Sequence, residues 1–186
     1  MRHFLFMAFI VVFGLTVNAQ KFEPKWVGEV YLLQIDADTV AMVADKSNVQ
    51  VKTTQSAGLL LTGFGNVRKK LTVKGRNANI QVGMKDHVTM IVRSKDNDYD
   101  PSLFIQVVKF EEKKKERRAE VANVNWLGNV TEGDMNLVPF VAERYGNSSY
   151  ILTLKPEVGE YGVRILNPDE IDEKMTVFYC FGVYQQ

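Results

Sequence analysis

The sequence predicts an all-β fold: an antiparallel β-sandwich built from two related halves, with a β-barrel as the alternative. Three observations predict it. Short runs rich in β-branched and aromatic residues recur along all 186 residues, separated by Gly, Asn, Asp and Pro. Several runs alternate apolar with polar positions, as in Val49-Gln-Val-Lys52 and Leu71-Thr-Val-Lys74. That is the period of a strand with one dry face and one wet face. The hydrophobic content of 46%, with 11 Phe and 7 Tyr, is enough to fill a core between two sheets.

The N-terminus reads separately from the rest. Met1-Arg2-His3 is a short positive stretch, Phe4 to Val17 is apolar apart from Gly14 and Thr16, and Val17-Asn18-Ala19 offers a peptidase site before Gln20. The apolar run is shorter than the roughly twenty residues that carry a helix across a ~30 Å bilayer core. Residues 1–19 therefore read as a cleavable export signal, and the mature chain as secreted or periplasmic with no membrane span.

Strands are expected near Trp26–Leu33, Thr39–Val43, Val49–Thr54, Gly58–Leu61, Lys70–Lys74, Asn79–Val82, Val88–Arg93 and Leu103–Phe110. Four more follow near Leu137–Glu143, Tyr150–Leu154, Gly162–Leu166 and Met175–Tyr184. Between the two groups lies Glu111-Glu-Lys-Lys-Lys-Glu-Arg-Arg-Ala-Glu120, polar all round. With Glu111 and Lys115 four apart it is a helix candidate, read as a solvated connector or a charged extension of neighbouring strands.

An internal echo organises the chain. Trp26-Val-Gly-Glu-Val30 recurs as Trp126-Leu-Gly-Asn-Val130, and Val40-Ala-Met-Val-Ala-Asp-Lys46 as Val138-Pro-Phe-Val-Ala-Glu-Arg144. Read as a duplication, the echo divides the mature chain into a first β half at 20–110, a charged connector at 111–122, and a second β half at 123–186 packed on the first. The two tryptophans are then equivalent core anchors. The charge is split as well: residues 20–122 hold 18 bases and 13 acids, residues 123–186 hold 4 and 9.

Composition excludes several functions. Cleavage removes Arg2 and no acid, leaving the mature chain neutral, without a field that draws nucleic acid. Cys180 is the only cysteine, so no internal disulfide forms, and its apolar surroundings read as a buried thiol. His87 is the only histidine after the signal, which removes mechanisms needing two imidazoles and any His-rich metal site.

Three candidate sites remain. From Lys46 to Lys85 there are eight bases and no acid, with Arg68, Lys69, Lys70, Lys74 and Arg76 clustered. On one strand face they would hold an acidic or sulfated glycan, another anionic polymer, or lipid phosphates. Asp96, Asp98 and Asp100 have the spacing of oxygen ligands for a hard cation, although Pro101 and Val107 replace the Gly and Glu of an EF-hand loop, leaving a weak metal candidate. Asn129-Val-Thr131 and Asn147-Ser-Ser149 match glycan acceptors, which matters in a eukaryotic source.

No cofactor motif is present. The functional expectation is an exported, non-enzymatic binding or envelope-associated module, its partner a glycan, an anionic polymer or an envelope protein. The alternatives are a barrel carrying a small apolar ligand and, third, a hydrolase. Processing is directly testable: intact-mass measurement of exported protein should give a chain beginning at Gln20. Recovery of residues 1–19 on the exported chain would reject the export signal.

Overall fold

The computed structural model describes residues 22–35, 39–57, 61, 66–124, 130–132, 135–166 and 177–185. The export segment, most of the expected strand at 58–61, and Trp126 lie outside the described residues. Fourteen strands are described: β1 Val30–Ile35, β2 Thr39–Val43, β3 Asp45–Gln55, β4 Val67–Lys74, β5 Gln81–Gly83, β6 Val88–Arg93 and β7 Ile105–Lys109. They continue with β8 Glu111–Glu112, β9 Glu116–Val124, β10 Val130–Glu132, β11 Val141–Tyr145, β12 Ser149–Leu154, β13 Gly159–Ile165 and β14 Val177–Tyr184.

The strands form two sheets. The five-stranded sheet runs β11-β12-β6-β1-β2, all antiparallel. The nine-stranded sheet runs β10-β9-β4-β3-β14-β13-β7, with β5 against β14 and β8 against β9. Both sheets are open, so the arrangement is a sandwich. The barrel alternative is withdrawn.

Alternation builds the core. Val30 and Leu32 of β1, Met90 and Val92 of β6, and Leu152 and Leu154 of β12 point to one side of the smaller sheet. They meet Ile105, Val107, Tyr161, Val163, Phe181 and Val183 of the larger sheet. The Tyr161 and Phe181 rings stack 5.3 Å apart.

A second core lies on the opposite face of β14, because β14 is apolar on both faces. Phe178 and Cys180 alternate with Phe181 and Val183, and they pack with Val49, Leu71, Val73, Ala119 and Phe110. The long strand β3 makes this possible. Its first residues pair with β14 and its remainder with β4, carrying β4 and β9 over the outer side of β14. Phe110 and Phe178 meet edge to face at 5.1 Å above Gly162, where an added Cβ would lie 2.6 Å from the Phe110 ring.

Inside this second core sits an ion pair. Arg117 of β9 (1% exposed) donates from Nη1 to Oε2 of Glu160 of β13 (3% exposed) at 3.2 Å. Glu160 also accepts from the Ala78 backbone N–H at 2.7 Å and from Gln81 Nε2 at 2.9 Å. Of the two readings of the charged segment at 111–122, the extension of neighbouring strands holds and the helical connector does not. The segment is the β8–β9 pair, with β9 hydrogen-bonded to β4 from Glu116 to Val124. Alternation resolves its polar sequence: Arg117 and Ala119 point inward, while Glu116, Arg118 and Glu120 point outward.

Two further expectations are corrected. Trp26 is 65% exposed, on the turn before β1, and is no core anchor. Lys25 lies over its ring at 5.1 Å. The first pair of echoing segments leads into different places, since Val30 begins β1 of the smaller sheet and Val130 begins β10, paired with β9 in the larger, whereas the second pair runs into β2 and β11, the two end strands of the smaller sheet. The two parts of the chain are also interleaved, since β6 pairs with β12, β3 with β14 and β7 with β13. No helix among the described residues is long and apolar enough to cross a membrane.

Removing one partner of a buried pair leaves the other charge uncompensated, at about 3–5 kcal/mol. Glu160→Ala should therefore lower unfolding free energy by about that amount in a denaturant titration. A double Arg117→Met, Glu160→Met variant should be clearly more stable than Glu160→Ala. If the double variant is the less stable of the two, the stranded charge is not what the core guards against.

Candidate functional site

The outward face of β3, β4 and β9 gathers most of the cationic residues that stood out in the sequence. β4 is its centre. Leu71 and Val73 point into the second core, so Arg68, Lys70, Thr72 and Lys74 lie on the opposite face, where Thr72 is buried among its neighbours and Arg68 and Lys74 are exposed. The register with β3 sets Thr54 opposite Arg68, Lys52 opposite Lys70, and Gln50 opposite Thr72. The register with β9 sets Glu120 opposite Lys70, Arg118 opposite Thr72, and Glu116 opposite Lys74. One extra residue in β9, between Glu120 and Ala122, shifts the pairing beyond Lys70.

Five cations, Lys52, Arg68, Lys70, Lys74 and Arg118, thus share a face with two carboxylates, Glu116 and Glu120. The middle of the face is ion-paired. Lys70 Nζ lies 3.6 Å from Glu120, and Glu116 binds both Lys52 and Arg118. The hydrogen bond from Lys52 is the main reason the Glu116 carboxyl titrates below the usual glutamate range. Arg68 and Lys74 remain exposed, and among the described residues neither has an ion-pair partner.

Beside Lys70, Arg118 and Glu120 the surface opens into a shallow depression of about 290 Å³, also lined by Glu111 and Asn136. Glu111 is held below the ordinary glutamate range chiefly by its hydrogen bond from Lys113.

The structure regroups the sequence cluster. Lys69 stands on the other side of β4, with Leu71 and Val73, and Arg76 lies past the strand end, 3.5 Å from Glu112. Lys52 and Arg118 belong to the face although the cluster omitted them. The legible signal for Arg118 was the alternation Glu116-Arg-Arg-Ala-Glu120 read at a period of two.

The carboxylates of the acidic loop are engaged in local contacts. Among the described residues no group of three or more His, Cys, Asp or Glu is placed to hold a metal ion. Asp96 accepts from the Asp98 backbone N–H, and Asp98 pairs with Arg144 at 3.6 Å. Asp100 caps the 3₁₀ turn Pro101–Leu103 by accepting from the Ser102 hydroxyl and N–H, which lowers its carboxyl below the ordinary aspartate value. Geometry thus turns these carboxylates to loop closure. His87 is exposed just before β6. Asn147 is exposed in the β11–β12 turn, and Asn129 lies outside the described residues.

Compared with protein-family models, curated proteins and solved structures, the chain matches none. The functional reading therefore rests on the molecule's own surface.

Cys180 is buried in the second core, and burial pushes its thiol up to about 11. At pH 8 the folded protein should resist iodoacetamide and react only once denatured. Because the folded thiol titrates above its unfolded value of 9.0, stability should fall as pH rises from about 9 to about 11. Rapid alkylation of the native protein would contradict this burial.

Proposed function

We propose that the mature protein is an exported, non-enzymatic β-sandwich module, secreted or periplasmic, that binds an anionic polymer on the outward face of β3, β4 and β9. Export is supported by the tripartite N-terminus at residues 1–19. Binding is supported by one observation: Arg68 and Lys74 stand exposed on the same face of β4, one on each side of the ion-paired Lys70. At ~3.3 Å per residue their Cα atoms are ~20 Å apart, so the row suits an extended polyanion such as an acidic glycan. The carboxylates of β9 hold Lys70, Lys52 and Arg118 in place and leave the outer cations to the ligand.

Such a face binds mainly by charge, so salt should weaken it as the Debye length falls to about 10 Å near 0.1 M. The protein should be retained on heparin at low salt and released on a rising gradient. The double variant Arg68→Gln, Lys74→Gln should lose retention with an unchanged melting temperature. Lys70→Gln, which frees Glu120 of its partner, should also weaken retention and lower stability slightly, by ~0.2–1 kcal/mol. A wild type that passes through at low salt, or a double variant eluting with the wild type, would overturn the proposal.

A further inference from the structure

A sheet edge is a row of unpaired N–H and C=O groups, and proteins protect such rows with charge, short strands, bulges or a covering segment. Of the four strands that end the two sheet orders, three carry such a device among the described residues. β11 bears exposed Glu143 and Arg144, and Arg144 pairs with Asp98. The outer side of β7 is covered by residues 136–138: Lys109 N–H donates to Asn136 O and Val138 N–H to Val107 O. β10 is only three residues long.

Among the described residues β2 has none of these. Its sequence is Thr39-Val-Ala-Met-Val43, with no charge and no proline, and its pairing with β1 runs without a bulge. The register shows which groups it leaves open. Ala44 N–H donates to Val30 O, so the hydrogen-bonded pairs with β1 continue as Leu32 with Met42 and Gln34 with Val40. The main-chain groups of Thr39, Ala41 and Val43 therefore point away from the sheet. The neighbouring ladder agrees: Arg93 N–H donates to Glu29 O, so Tyr31 and Leu33 turn their groups to β6.

We propose that β2 pairs with β2 of a second copy of this chain, antiparallel about a two-fold axis at Ala41, joining the five-stranded sheets of two molecules into one. The open groups match this partner. Under that axis Ala41 faces Ala41, and Thr39 faces Val43 of the second copy. Every facing residue is one whose N–H and C=O already point outward. The result is about six inter-chain hydrogen bonds with no register slip. No like charges meet within the strand, and a small side chain stands at the axis. An isologous contact of this kind closes on itself, so it satisfies the edge without building a fibre.

Sedimentation equilibrium of the exported protein should give a mass twice that of one chain, falling toward one chain on dilution. Hydrogen exchange should show the amides of Thr39, Ala41 and Val43 protected in the dimer and open in the monomer. Ala41→Pro removes one outward N–H at a position where an edge strand accepts proline, so it should leave a folded monomer. Val43→Lys, at an exposed position, should do the same by setting a charge at the seam. A wild type that remains a single chain up to ~0.1 mM, an affinity range weaker than most stable complexes, would overturn the proposal. So would a dimer that persists in both folded variants, or one in which those three amides exchange freely.

Discussion

The pair between Arg117 and Glu160 ties together parts of the molecule that share no ladder. Glu160 belongs to β13 and Arg117 to β9, at separated places in the larger sheet. The same carboxylate accepts from the loop at Ala78 and Gln81. Two charges taken out of water need partners inside the core: Glu160 accepts three hydrogen bonds, whereas Arg117 is held through Nη1 and its Nε has no partner among the described residues. Their pairing requires β9 to lie over β14 in one position, and the second core fills around that requirement. Phe110 lies beneath the guanidinium at 5.9 Å, and Gly162 gives room for the two phenylalanine rings. The aromatic pair and the ion pair therefore constrain one another.

That constraint also sets the outward face. Once Arg117 and Ala119 are fixed inward, strand alternation leaves Glu116, Arg118 and Glu120 no other direction than solvent. The register with β4 then sets the two acids opposite Lys74 and Lys70. The charges of the face are thus not an independent feature of the surface. They are the other side of a strand whose inner residues are engaged in the core: Glu120 pairs with Lys70 and Glu116 with Lys52 and Arg118, which leaves Arg68 and Lys74 without an ion-pair partner among the described residues.

The two sheets handle their limits differently. The larger sheet protects its ends with a short strand and a covering segment, and its middle is buried on both faces. The smaller sheet carries its polar protection on β11 alone. This asymmetry sets the exposed Arg68 and Lys74 on one sheet and the outward main-chain groups of β2 on the other.

Much of the architecture was legible from local pattern. Thr39–Val43 and Val88–Arg93 match the observed strands residue for residue, because a β-branched run bounded by turn residues depends only on neighbours along the chain. The burial of Cys180 was legible for the same reason, in a run apolar on both alternating faces. Strand β9 was legible only as one of two readings, since nothing along a polar run says which of its alternate residues a core across space will claim. Trp26 misled in the opposite way: its type favours a core, but the turn before β1 holds it at the surface. Sequence by itself determined the period of the strands, the sandwich class and the places where cations are dense, all properties of residues near one another in the chain. Only the tertiary structure decided which strands pair, that Arg117 meets Glu160, and which cations share a face, because those depend on register between distant segments, and a shift of one residue would turn every side chain to the other side.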